Sequence, residues 1–390
     1  MEPNPKNRIH VVDALRGFAL MGLFLVHMAS FYGLHWIDPQ PSTSYDVAMW
    51  LFGGKSYALF SLLFGTSFFI IMNSQARKNV DFRDRFFWRM LVLFVLGYLH
   101  SLFYSADILQ VLAICGVILV IFYPLTNKMV LAASLFFLLQ IPTIGFLVYL
   151  AFNPEQASFN PTFWGYTAVS NEVAASAGFI DVIQANAYQS QFGKWWFYLE
   201  TGRFWNILGF SLLGLWLGRI GFFTHFNKHT RANISFMMSA LVIFCVMYFI
   251  ADFVNQNPGQ QPLTRWSVNT IIWSLANAGL MLFATVLFVF CFQHQALEGL
   301  LRHLAPCGRM TLTLYVAQSL LFAPIFFGYG LGLYNTISHD TTIILFMGLW
   351  LGQMLFARQW FKYYQFGPLE WLWRSATYTR ADIPFRVVTK

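Results

Sequence analysis

Charge is what this chain has least of: only 10% of its 390 residues are Asp, Glu, Lys or Arg, against roughly 25% in soluble domains. A water-soluble globule of this length is thereby excluded. Cysteine is scarce too, and the four present (Cys115, Cys245, Cys291, Cys307) lack CxxC spacing. Neither a zinc centre nor a disulfide framework is suggested, and they read as small hydrophobes. There is no GxGxxG or GxxxxGK[ST] signature and no fixed-period repeat, so a soluble nucleotide-binding domain is not supported. No convincing small-residue cleavage site follows the first apolar run, which Asp13 and Arg16 interrupt, and that run is expected to stay as a helix.

What is abundant is apolar. Hydrophobic residues make up 57% of the chain and aromatic ones 19%, with 44 Phe, and the mean hydropathy is +0.55. At about 20 residues per crossing, runs near 11–33, 46–73, 84–104, 107–123, 129–152, 199–222, 232–253, 267–292, 310–330 and 341–357 predict an all-α, polytopic transmembrane bundle of about ten spans. It reads as a single domain over 1–390. Threading these spans places every Lys and Arg on the side of the N-terminus except Lys55, Lys194, Arg203 and Arg265. Because cytoplasmic loops collect Lys and Arg, both termini are expected in the cytoplasm. The net charge of +8 is therefore dispersed over loops facing a lipid bilayer, and no nucleic-acid partner is expected.

Two stretches fall outside the spans. Residues 153–198 mix Trp, Tyr and Phe with small polar residues on the outer side, as an interfacial helical segment would. Residues 358–390 interleave Trp and Tyr with Lys and Arg, the pattern of a cytoplasmic amphipathic tail, either an anchor to anionic lipid or a lid over a donor site.

The informative residues are the ionisable ones inside apolar runs, since such groups are costly in a bilayer and mark sites by default. At about 100° per residue, Asp13 and His27 lie about 40° apart around one helix and Arg16 and His27 about 20° apart. Threading then sets His27, Lys55, His100, Asp107, Glu200 and Arg203 at one outer level. Each has a plain reading. Lys55 can snorkel, Glu200 and Arg203 can pair at i,i+3, His100 and Asp107 can pin a hairpin, and His27 can bond across helices. Together they permit a His–Asp dyad for general acid–base work, with Lys55 as an oxyanion donor. At the inner end, Asp13 and Arg16 either bridge or, through Arg16, meet an anionic group. The basic run containing Arg83, Arg85 and Arg89 reflects membrane orientation or binds phosphates. Gly17, Ala19 and Gly22 allow close approach to the first helix, and Gln318 is a polar amide midway along a span, lining a path or bonding a neighbour. No metal ligand set is evident.

Several blocks carry a resemblance: RIHVVDALRGFALMG from Arg8, FGGKSYALFSLLFG from Phe52, GYLHSLFYSADIL from Gly97, LLGLWLGRIG from Leu212, GRMTLTLYVAQSLL from Gly308, FGYGLGLY from Phe327 and FGPLEWLWRSATY from Phe366. They span nearly the whole chain, which resembles the YeiB-like bacterial inner-membrane proteins. It departs from that pattern at Ala106, where glycine is usual, and at His27, where asparagine is more common. His27, eleven residues past Arg16, is similar instead to the acyltransferase-3 membrane enzymes, which with heparan-glucosaminide acetyltransferase are distant relatives of that family. The resemblance implies a bacterial inner-membrane location, a cytosolic acyl-CoA as co-substrate and an acceptor, often a carbohydrate or lipid-linked one, at the outer face. On that reading Asp13, Arg16, Arg83, Arg85 and Arg89 serve the donor, His27 or His100 with Asp107 and Lys55 serve the chemistry, and Gln318 and Arg203 line the cavity. Rival readings are a transporter or flippase, which uses buried charges to couple movement to protons, and a non-catalytic membrane partner protein.

Overall fold

Every apolar run marked in the sequence folds as helix. A computed structural model describes residues 9–37, 39, 41–256, 261–379 and 383–387. Lys6, Arg8, Arg380 and Lys390, part of the charge asymmetry, lie outside the described residues. Helix α1 (His10–Val26) continues without a break as a π-helix, His27–Tyr32. After α2 (Thr43–Phe52), capped by the Ser42 hydroxyl, the Gly53-Gly54 corner leads into α3 (Ser56–Ala76). Gly54 has φ 76°, a left-handed conformation suited to glycine. A hairpin follows, α4 (Arg83–Ser101) and α5 (Leu109–Phe122). Helices α6 (Asn127–Leu138) and α7 (Ile141–Phe152) meet at 44°.

The segment expected to be interfacial is indeed helical: α8 (Pro154–Ala157), α9 (Thr162–Ser176), α10 (Phe179–Ala187) and α11 (Gln189–Glu200). The rest of the bundle is α12 (Arg203–Arg219), α13 (Thr230–Gln256), α14 (Pro262–Gln293), the short α15 (Gln295–Arg302) and α16 (Ala305–Arg309), α17 (Thr311–Phe326), α18 (His339–Trp360) and the tail helix α19 (Pro368–Tyr378). No strand occurs among the described residues, apart from a lone bridge between Tyr364 and Arg386.

Length and composition qualify the count of ten. Five stretches are long and apolar enough to cross a membrane: His10–Tyr32, Thr43–Ala76, Phe226–Gln256, Pro262–Gln293 and His339–Trp360; the bent α6–α7 pair makes a sixth if taken as one. The others fall short for visible reasons. With 14 residues, α5 reaches about 21 Å, less than a hydrocarbon core of about 30 Å, and the first turns of α4 carry Arg83, Asp84, Arg85 and Arg89.

Glycine sets the tightest crossings, as between membrane helices generally. A Cβ on Gly65 would strike the Ser211 carbonyl and one on Gly214 the Leu62 carbonyl, which locks α3 against α12. Gly308 lies on the Asp13 carbonyl and Gly17 on that of Leu304, locking α1 against α16. Gly22 is covered by Ser56 and Phe52. Gly17 and Gly22 therefore serve contacts with neighbouring elements.

The tail docks on the bundle. Glu370 of α19 accepts the backbone N–H groups of Leu312 (2.7 Å) and Thr313 (3.1 Å) and the Thr313 hydroxyl, capping the start of α17. Burial pushes its carboxyl above the ordinary value, while these donors pull it back. Replacing Glu370 with Ala leaves those donors unsatisfied, at about 1–3 kcal/mol. The variant is expected to show a lower thermal midpoint in detergent and protease cuts within residues 367–379.

Candidate active site

The hairpin between α4 and α5 delivers the expected dyad. His100 Nδ1 lies 2.8 Å from Asp107 Oδ1, with the two side chains 1% and 0% exposed. The α4–α5 approach is close enough that a Cβ on Gly97 would sit 2.8 Å from the Gln110 nitrogen. Asp107 Oδ2 accepts the Gln110 N–H at 3.2 Å, which fixes the carboxylate at the head of α5. Ala106 adopts no left-handed conformation, so its departure from glycine leaves the dyad intact. A carboxylate only accepts hydrogen bonds, so in the neutral imidazole the proton sits on Nδ1 and Nε2 presents a lone pair. That Nε2 is buried and has no hydrogen-bond partner among the described residues.

His27 opens the π-helix, a winding common at functional positions. Its ring packs against Phe31, Tyr32, Tyr104 and Tyr315, with centroid distances of 5.5, 6.1, 5.2 and 5.9 Å. Tyr104 and Tyr315 also touch the His100 ring, at 6.0 and 5.1 Å. His27 Nδ1 and the Tyr104 hydroxyl are likewise buried without partners. Unpaired buried polar atoms are rare, yet three of them surround one pair of tyrosines. Tyr315 is held by the Ile108 N–H (3.3 Å) and Tyr32 by Ser319 (3.0 Å), so the walls of this cluster are fixed while its centre offers two imidazole nitrogens and a phenol.

The other candidates have contacts of their own. Lys55 is 9% exposed, and no hydrogen bond of its ammonium occurs among the described residues. The Arg203 guanidinium lies over the rings of Phe197 (4.7 Å) and Tyr57 (5.0 Å). Glu200 accepts from the Thr162 and Phe163 N–H groups, both at 3.0 Å, and so caps α9. Gln318 donates to Gln353 at 2.8 Å, joining α17 to α18. At the opposite end of α1, Arg16 bonds Asp13 at 2.9 Å and reaches Ser67, tying α1 to α3. Arg83 pairs with Asp81 on the surface. Arg85 donates to the Thr377 carbonyl, and Arg89 lies 3.7 Å from the Trp373 ring while the Trp373 indole donates to its carbonyl. Much of the basic run thus receives the tail. Among the described residues no three His, Cys, Asp or Glu are grouped to hold a metal ion.

Four neighbours of the dyad were not singled out from sequence: Tyr104, Tyr315, Gln110 and Lys194. Lys194 did carry a signal, as one of the few cations on the wrong side of the charge asymmetry, and Tyr104 sits inside the hairpin it serves.

Residues 8–163 match the family described as Heparan-alpha-glucosaminide N-acetyltransferase, catalytic, and residues 217–380 match the one described as Protein of unknown function (DUF418). Along nearly its whole length the chain is similar to Uncharacterized protein YxaH of Bacillus subtilis (strain 168), 26% identical with 97% of this chain and 96% of that one covered. It is similar also to Uncharacterized protein YeiB of Escherichia coli (strain K12), 24% identical over 94% and 95% of the two chains. The resemblance to YeiB-like proteins, with a distant acyltransferase-like similarity, holds. Arg16, His27, Lys55, His100 and Asp107 all fall in the first matched stretch, and Tyr315 comes from the second.

Proposed function

We propose that this chain, similar end to end to YeiB and over residues 8–163 to an acetyltransferase catalytic region, moves an acyl group from a cytosolic acyl-CoA to a carbohydrate or lipid-linked acceptor at the outer face of the bacterial inner membrane. Both termini are then cytoplasmic and the ten helical runs all traverse or line the bilayer. The observation that carries the reading is the buried His100–Asp107 pair, with Nε2 unpartnered and turned to the cluster shared with His27.

His100 is the better base of the two histidines because it has a carboxylate partner. The acceptor hydroxyl gives its proton to Nε2 as its oxygen attacks the thioester carbonyl. The carbon–sulfur bond then breaks, and the departing thiolate takes the proton back as CoA–SH. Asp107 holds the ring through Nδ1–H and stabilises the transient imidazolium. Lys55 supplies positive charge to the oxyanion, and His27 receives the acyl or acceptor group across the tyrosines.

The anionic donor head needs cations at the N-terminal end of α1. A depression of about 300 Å³ there is lined by His10, Asp13, Arg302 and Arg309, and a second of about 250 Å³, lined by Asp81, Phe82, Arg83 and Tyr123, lies where α3 ends, α4 begins and α5 ends. From Arg16 to His27 an extended thioester arm must cover about 16 Å.

Protein reconstituted in liposomes, with acyl-CoA on one side and candidate acceptors on the other, tests this. Acceptor-dependent release of free CoA thiol supports it. Acceptor that crosses unaltered indicates transport, and no thiol release across a broad panel of acyl-CoAs and acceptors overturns the proposal.

A further inference from the structure

We infer that Lys194 is a positioning residue of the His100–Asp107 dyad, carried there by a polar latch formed by α10 and α11; the inference rests on the acyl-transfer reading above.

Lys194 belongs to the segment outside the spans, yet it is only 6% exposed. Its ammonium donates to Gln110 Oε1 at 2.8 Å, and the N–H of the same Gln110 holds Asp107 Oδ2. The neighbouring side chains aim at the same turn. Gln191 donates to the Ser101 hydroxyl at 2.8 Å and Asn186 to the Leu102 carbonyl at 3.0 Å, while the Tyr198 hydroxyl reaches the Asp107 carbonyl at 3.5 Å. Four residues of α10 and α11 thus clasp the stretch from Ser101 to Gln110, which follows His100 directly and carries Asp107. A surface segment packed for stability alone would not need to bury a cation there.

The charge has a use. A buried ammonium is costly unless an anion offsets it, and its immediate partner is a neutral amide. The offsetting anion is Asp107, attracted across Gln110. The groups facing the dyad are His27, Tyr104, Tyr315, Tyr198 and Lys194, with Arg203 behind Tyr198. With Lys194 charged, the Asp107 carboxylate is held beside Gln110 and facing His100 Nδ1. Without that charge, the carboxylate loses a favourable neighbour and its hold on the His100 ring loosens. Burial brings the Lys194 ammonium down to about 8, with Asp107 pulling the other way. A lysine with a lowered value is charged below it, so the supporting charge is present under pH 8 and lost above.

The test uses full-length protein in liposomes and the rate of CoA release from pH 5.5 to 9.5. Wild type is expected to lose activity above about pH 8. Lys194→Arg keeps the charge at all these pH values and is expected to flatten that limb with near-normal rates. Lys194→Met is expected to lower kcat about 10- to 100-fold with KM for acyl-CoA little changed, and to leave no alkaline limb, since the group that titrates there is gone. Hydrogen exchange of amides 101–110 reads the latch without any chemistry, and is expected to quicken about tenfold in Lys194→Met and in Gln191→Ala. If wild type releases no CoA, the acyl-transfer reading fails and with it the role in catalysis, while exchange still reads the latch. An active Lys194→Met with the wild-type profile, or exchange unchanged in both variants, overturns the inference.

Discussion

Replacing His100 with alanine is expected to slow acyl transfer about 1,000-fold, within the range that a positioned general base contributes, while the protein still purifies as a folded, monodisperse species. The argument is geometric. His100 Nε2 is the imidazole nitrogen whose ring is oriented by a carboxylate, at 2.8 Å, and a base whose proton-bearing side is held does not have to find its orientation in each turnover. Asp107→Asn removes the anion that stabilises the imidazolium and makes the wrong ring tautomer accessible, so a loss of about 100-fold is expected. His27→Ala is expected to cost less than either, since its Nδ1 has no acidic partner. Steady-state release of CoA thiol at saturating donor checks the order His100, Asp107, His27. A reversed order, with His27 dominant, would move the base to the π-helix.

Gly308→Val is expected to prevent accumulation of correctly folded protein. The position meets the Asp13 carbonyl, a backbone atom that cannot swing aside as a long side chain can. Overpacking costs roughly 1–3 kcal/mol where neighbours can adjust, and more is expected here because the atom displaced belongs to α1 itself. Relief requires α1 to retreat from α16, which also shifts His27 at its far end. Size-exclusion profiles and thermal midpoints of Gly308→Ala and Gly308→Val give a graded series, the valine far worse. Normal folding of the valine variant would show that the α1–α16 crossing is looser than described.

The helices were legible in the sequence because long apolar runs have few other outcomes, and the dyad was legible because His100 and Asp107 sit seven residues apart in one hairpin, where spacing alone brings them near. His27 joined them through its place on the outer level. What stayed hidden is long-range. Arg89 finds Trp373, 284 residues further along, and no local pattern distinguishes an arginine that receives a tail from one that awaits a phosphate. Lys194 reaches Gln110 across 84 residues, and only its standing among the few cations that threading sets opposite the rest hinted at a task. Of the ten runs only five or six are long and apolar enough to cross by themselves, because hydropathy marks where a helix is, whereas crossing depends on its uninterrupted length, and α5 and α17 are short.

The wider coil at His27–Tyr32 has a consequence for length as opposed to composition. A π-turn holds an extra residue relative to regular α winding, so taking out one residue there lets the coil tighten to α form while the chain on either side keeps its bearing. A deletion in the middle of α1, which has no such slack, would instead turn everything beyond it by about 100°. Shortening by one should therefore be borne better here than inside α1, while exchange of the buried His27, Met28 or Tyr32 should be borne poorly.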